Sequence, residues 1–173
     1  MKSISSIMIL FVLTSLQAFD YKEYLSVIKN DAMVLGKGEN TVHAFLDPMC
    51  HNSQNYLEMI TQSQALLQNN TFYIYLYRLP KFESDALIEH IYSSKSPWNI
   101  TKQIMLHKFK PKVYKMLHSE TAKIIKNRIS QVAQKFRVKR RPYLLIFKKG
   151  SNFCKVSEGN APCLNPKKKN NKS

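Results

Sequence analysis

Residues 41–56 read TVHAFLDPMCHNSQNY, and this stretch decides how the rest of the chain is organised. Thr41 to Leu46 alternates β-branched, aromatic and aliphatic side chains, which predicts a short buried strand. Asp47-Pro48 breaks it, and Cys50 stands at the threshold of a helix. At a helix N-terminus the backbone N–H groups lack intrahelical partners and the dipole is positive, so a sulfur placed there is favoured as thiolate, its nucleophilic form. A buried strand leading into the turn would hold that sulfur rigidly. Cysteine is also a common small buried hydrophobe, and this reading stands beside the reactive one.

Working outward, Tyr21 to Asn30 predicts a brief helix and Ala32 to Leu35 a short strand ahead of the turn Gly36-Lys37-Gly38. Downstream, Tyr56, Leu57, Met59, Ile60 and Leu67 outline the apolar face of one helix over Ser53 to Gln68. Thr71 to Leu79, TFYIYLYRL, predicts the strongest strand, closed by Pro80 and parallel to the first through a βαβ crossover. Glu83 to Ser94 predicts a helix, and Ser96-Pro97 supplies an N-cap and an N1 proline for another reaching Lys108, with Lys110-Pro111 interrupting the chain. Ser119 to Phe136 is amphipathic, with Ile124, Ile125, Ile129, Val132, Ala133 and Phe136 as its stripe. Arg141-Pro142, a strand over Tyr143 to Phe147, a Lys148-Lys149-Gly150 turn and a last strand about Phe153 to Val156 follow.

The 173 residues suffice for one domain with a substantial core, and 44% hydrophobic residues is a globular composition. Met1-Lys2, the apolar run Ile7 to Leu16 and the small residue near Gln17-Ala18 have the form of a secretory signal, with an uncleaved anchor as the variant reading. Export places the chain in an oxidising compartment. There Cys50, Cys154 and Cys163 read as one odd thiol plus a candidate disulfide, Cys154 with Cys163, worth about 2–3 kcal/mol in the chain-entropy picture. A second reading makes one of that pair a remote resolving thiol for Cys50.

The net charge of +16 raises nucleic acid, anionic lipid and acidic proteins as partners. Cations crowd Lys102 to Lys149, where Glu120 is the single acid. They fall on helix outer faces while the aromatics fall on strands, a pattern that argues against a nucleic-acid groove and leaves acidic or anionic envelope surfaces as the electrostatic expectation. A basic nucleic-acid or membrane-surface binder is the third reading, and it would betray itself by steep salt dependence. The histidines and Cys50 show no metal-ligand spacing, so neither metal nor cofactor is expected. His43 alternates on the buried strand and reads as a core histidine, and Met49 as core or groove lining.

The order β, α, β, helices, α, β, β resembles an α/β thioredoxin-like fold with a helical insertion between the second core strand and the last core helix. FLDPMCHNS resembles the F-x-D-P-x-C-P-x-C segment of periplasmic thiol:disulfide interchange proteins, most closely the DsbC/DsbG isomerase type. Arg141-Pro142 resembles that family's Thr-Pro, which implies a cis proline beside the active-site cysteine. The resemblance covers roughly Val34 to Gly150. It divides the chain into a signal (1–18), a lead-in (19–40), a thioredoxin-like domain (41–156, insertion about 81–117) and a basic C-terminal loop and tail (157–173).

Two departures change what the resemblance implies. Ser53 replaces the second cysteine and His51 the first intervening residue, so dithiol chemistry gives way to a one-thiol site with Cys50 as nucleophile. The family's N-terminal dimerisation domain has no counterpart in the lead-in, which leaves the oligomeric state open. Arg141 is expected beside Cys50, where a guanidinium within about 4–6 Å would favour thiolate, and its backbone is expected to pair with an extended substrate segment. Exported proteins with cysteines are the implied substrates in the periplasm. The alternative is a redox-inactive binding module that keeps the groove and has lost the chemistry.

Overall fold

The computed structural model describes residues 20–111, 117–152 and 154–159. Residues 1–18 and Cys163 lie outside them, as do the expectations of a signal and of a Cys154–Cys163 disulfide.

Among the described residues five strands form one sheet: β1 (Met33–Leu35), β2 (Asn40–Leu46), β3 (Asn70–Leu76), β4 (Tyr143–Phe147) and β5 (Cys154–Glu158). Their spatial order is β1-β3-β2-β4-β5. β2 runs parallel to β3 in straight register, Asn40 beside Asn70 through Leu46 beside Leu76. The other pairings, β1 with β3, β2 with β4 and β4 with β5, are antiparallel. The parallel pair follows from the helical crossover between β2 and β3, while the hairpin of β4 and β5 needs only the turn at Gly150. Residues 42–46 are buried without interruption, as expected of a central strand covered on both faces. The lead-in joins this sheet through β1, at the edge opposite β5.

Among the described residues six α-helices accompany it: α1 (Tyr21–Ile28), α2 (His51–Gln62), α3 (Gln64–Asn69), α4 (Asp85–Ser93), α5 (Pro97–Met105) and α6 (Glu120–Lys135). α4 packs on α5 and α6, and α1 on α6. Ser84, at the N-cap position of α4, donates its hydroxyl to Asp47 just past the end of β2.

Four details differ from the sequence expectation. The single helix over Ser53 to Gln68 is two, because Ser63 turns extended and its hydroxyl accepts from Leu66 N–H, capping α3 in mid-pattern. β3 stops at Leu76, past which the chain pairs once more, Tyr77 N–H to Leu46 O, and then bends toward Asp47. α5 ends at Met105 rather than Lys108, and Ser96 at its N-cap makes no side-chain bond. Ile124 is 49% exposed and Ala122 fully buried in its stead, so the stripe of α6 runs through Ala122, Ile129, Val132 and Ala133. A stripe drawn by hydrophobicity alone admits Ile124, which sits a helical step off the contact line.

The turn into β2 is fixed by close approach. Gly38 lies against the backbone of Asn69 and Asn70, where a Cβ would collide with main-chain atoms, and Gly36 combines φ +73° with contact to Asn70 O. Gly38→Ala is expected to lower stability by about 2 kcal/mol through overpacking that no side chain can relieve, read as a drop in thermal midpoint.

Candidate functional site

β2 ends in the turn Asp47-Pro48-Met49, and Cys50 then occupies the N-cap of α2 in extended conformation. Its N–H bonds to Asp47 O at 3.0 Å and its carbonyl accepts Gln54 N–H, the first bond of the helix, at 3.0 Å. The sulfur makes no capping bond to the helix N–H groups, and the residue is 5% exposed.

Asp47 ties this turn to its surroundings, a role that sequence reasoning missed. The carboxylate is fully buried and accepts from Met49 N–H at 2.8 Å, from Leu79 N–H, and from the Ser84 hydroxyl at 3.1 Å. Burial pushes its pKa up against the pull of those three donors and of Arg141. One side chain therefore joins the Cys50 turn, the exit from β3 and the start of α4. The Asp-Pro pair was legible as a strand break, but its partners are 32 and 37 residues away.

Ser53 is fully buried in the first turn of α2, and its hydroxyl accepts Asp47 N–H at 3.1 Å. The position where C-x-x-C proteins carry a second thiol is thus occupied by a group that fastens the turn. His51 is exposed, its ring 3.1 Å from the Asn55 amide on the outer face of α2.

The Arg141–Pro142 peptide bond is cis. Arg141 is buried, with its guanidinium donating to backbone carbonyls, closest to Arg78 O at 2.8 Å, and lying 4.1 Å from the centre of the Tyr77 ring. Burial lowers its pKa, while Tyr77, Asp47 and Cys50 act against that as neighbours favouring the charge. The side chain thus braces the Pro142 loop against the chain after β3, with Cys50 among its electrostatic neighbours. No hydrogen bond among the described residues uses the Arg141 backbone N–H or C=O.

Two grooves flank the cysteine. A basic one of about 540 Å³ is lined by Cys50, Leu79, Pro80, Lys81, Arg140 and Arg141, among others. An apolar one of about 560 Å³ is lined by Pro48, Met49, Leu87, Ile104 and Phe109, with Met49 47% and Phe109 55% exposed. Among the described residues no three His, Cys, Asp or Glu side chains are grouped to hold a metal ion. Cys154, on β5, has no disulfide partner among the described residues, and burial pushes its thiol pKa up to about 11.

No family model and no curated protein matches this chain by sequence. Solved structures do match. DsbA2 of Pseudomonas aeruginosa superposes with a TM-score of 0.61 at 11% identity, covering 74% of this chain and 86% of its own. A disulfide interchange protein from Neisseria gonorrhoeae gives 0.58 at 13%, covering 78% and 89%. BdbD from Bacillus subtilis, in its oxidised form, gives 0.56 at 15%, covering 77% and 87%. The fold is thioredoxin-like. The α/β class and the helical insertion, α4 and α5, between β3 and α6 are as the sequence order implied, and the matched structures are of DsbA type. In this thioredoxin-like frame the structure brings Cys50, Ser53 and Arg141 together around the turn after β2, with the cis Pro142 at the entry to β4, and leaves His51 on the outer surface.

Proposed function

We propose that this protein exchanges disulfides in exported proteins through the single thiol of Cys50. The observation that carries the reading is the placement of Cys50 at the N-cap of α2 in one groove with Arg141, the residue preceding the cis proline. The Cys50 thiolate attacks one sulfur of a substrate disulfide, the substrate S–S bond breaks as the mixed disulfide forms, and the expelled thiolate takes up a proton. A second substrate thiolate then attacks the substrate sulfur of the mixed disulfide, and Cys50 leaves as thiolate. No electrons are gained or lost overall, which is isomerisation and suits a site where Ser53 replaces the resolving cysteine. The Arg141 backbone, which hydrogen-bonds to none of the described residues, supports pairing with an extended segment, and the apolar groove beside Met49 supports contact with unfolded chains. The subtype remains that of the sequence resemblance, DsbC/DsbG-like in chemistry, and export rests on the N-terminal apolar run.

The 5% exposure of Cys50 favours a second reading, a binding module without thiol chemistry. A scrambled exported substrate separates the two. With Cys154 and Cys163 replaced by serine, the folded protein is expected to form a reducible mixed disulfide with the substrate and to speed recovery of native pairing, and Cys50→Ser is expected to do neither. A Cys50 that reacts with disulfides solely after unfolding would sink the exchange reading and leave the binding module.

A further inference from the structure

The groove that holds Cys50 is charged in a way the chain itself does not neutralise. Lys81, Lys139 and Arg140 line it and are exposed, and Glu158 is the one acid among its lining residues. All eleven Asp and Glu residues of the chain lie within the described residues. Those that form ion pairs, Asp31, Glu39, Asp85, Glu89 and Glu120, pair with other cations. Asp47 is committed to the turn, and its charge faces inward.

We infer that this groove selects acidic polypeptide segments, so that cysteines flanked by Asp or Glu are the preferred targets of Cys50. The inference deepens the exchange reading and rests on it for the role of Cys50, while the charge preference itself needs no chemistry. An extended segment laid along Arg141 would run past Lys81, Lys139 and Arg140, and its carboxylates would replace water around cations that otherwise repel one another. A polypeptide fits better than a nucleic acid, because among the described residues no aromatic ring lines the groove for a base to stack on, and Leu79 and Pro80 give a side chain an apolar floor.

Fluorescence anisotropy of two labelled extended peptides of equal length tests this. Each carries a central serine in place of cysteine, one flanked by Asp and Glu and the other by Ser and Asn. The acidic peptide is expected to bind about tenfold more tightly at low salt, three exposed ion pairs contributing a few-fold each at most, with the advantage shrinking as salt rises. Lys81→Glu, Lys139→Glu and Arg140→Glu together are expected to abolish the advantage. Lys37→Glu, Lys123→Glu and Lys135→Glu together change the net charge equally on other surfaces and are expected to preserve most of it. Circular dichroism establishes that both triple variants are folded.

Equal affinity for the two peptides would overturn the inference. So would an advantage that both triple variants lose alike, since that is the +16 net charge acting at large, or a single-stranded oligonucleotide that displaces the acidic peptide at lower concentration than unlabelled peptide does. Because the probe carries no thiol, acidic preference with an inert Cys50 leaves this inference standing and removes the exchange reading. Exchange without acidic preference does the reverse.

Discussion

Asp47→Ala is expected to cost about 3 kcal/mol of stability, because the substitution orphans donors that water does not reach. Leu79 N–H and the Ser84 hydroxyl are buried and point at the same carboxylate oxygen, and Met49 N–H takes the other. A buried donor left without a partner costs about 1–3 kcal/mol, and relief from burying the carboxylate offsets part of the total. Asp47→Asn keeps the shape and one acceptor, so roughly half of the loss is expected.

The pH dependence carries a sign of its own. Burial raises the folded-state pKa of Asp47 above its ordinary value of 3.8. The stability linked to its neutral form is therefore fully present below about 3.8 and is lost as pH rises through the raised value. The gap between wild type and Asp47→Asn should be widest in acid and narrow as pH rises. Denaturant titrations of both proteins across that range measure it. A wild type that gains on the variant as pH rises would show that the donors outweigh burial. Asp47→Ala is also expected to loosen the Cys50 turn, since it removes the carboxylate that accepts Met49 N–H within that turn, and protease cleavage near Pro48 would report it.

Wild-type protein should lose roughly 3 kcal/mol between pH 6.5 and about 4 through His43 alone. This ring is 6% exposed on β2, stacked between Tyr73 and Tyr75, with Nδ1 3.0 Å from the Tyr75 hydroxyl. Burial, with Lys29 adding repulsion, lowers its pKa from 6.5 to about 4. Below 6.5 the unfolded chain binds a proton that the folded protein refuses, so stability is whole above 6.5 and drains as pH falls toward 4. At about 1.4 kcal/mol for each pH unit, that interval amounts to roughly 3 kcal/mol. His43→Phe lowers the baseline by stranding the Tyr75 hydroxyl, but its acid limb should be flatter by this amount. Parallel slopes for the two proteins would place the acid sensitivity elsewhere.

The local chemistry of the chain was sufficient to mark most elements and their order. Alternation in Thr41 to Leu46, the aromatic run after Thr71 and the apolar spacing of Ser119 to Phe136 are near-neighbour patterns, written where the elements form. The order of those elements implied a parallel β2–β3 pair, and the C-x-x-S segment at a strand-to-helix turn pointed to Cys50. Properties that depend on contacts distant in sequence were settled by the tertiary structure. Ile124 and Ala122 look equally placed until the contact line of α6 is known, and Ser63 caps α3 within a hydrophobic pattern that runs straight through it. The hub at Asp47 joins residues 32 and 37 positions apart, and the basic groove gathers Lys81 with Lys139 and Arg140 beside Cys50. A side chain's propensity is carried by its neighbours along the chain, whereas burial, charge environment and the partners of a polar atom come from whichever segments folding brings alongside it. The sequence could therefore mark Cys50 as a candidate, and the fold alone decided what surrounds it.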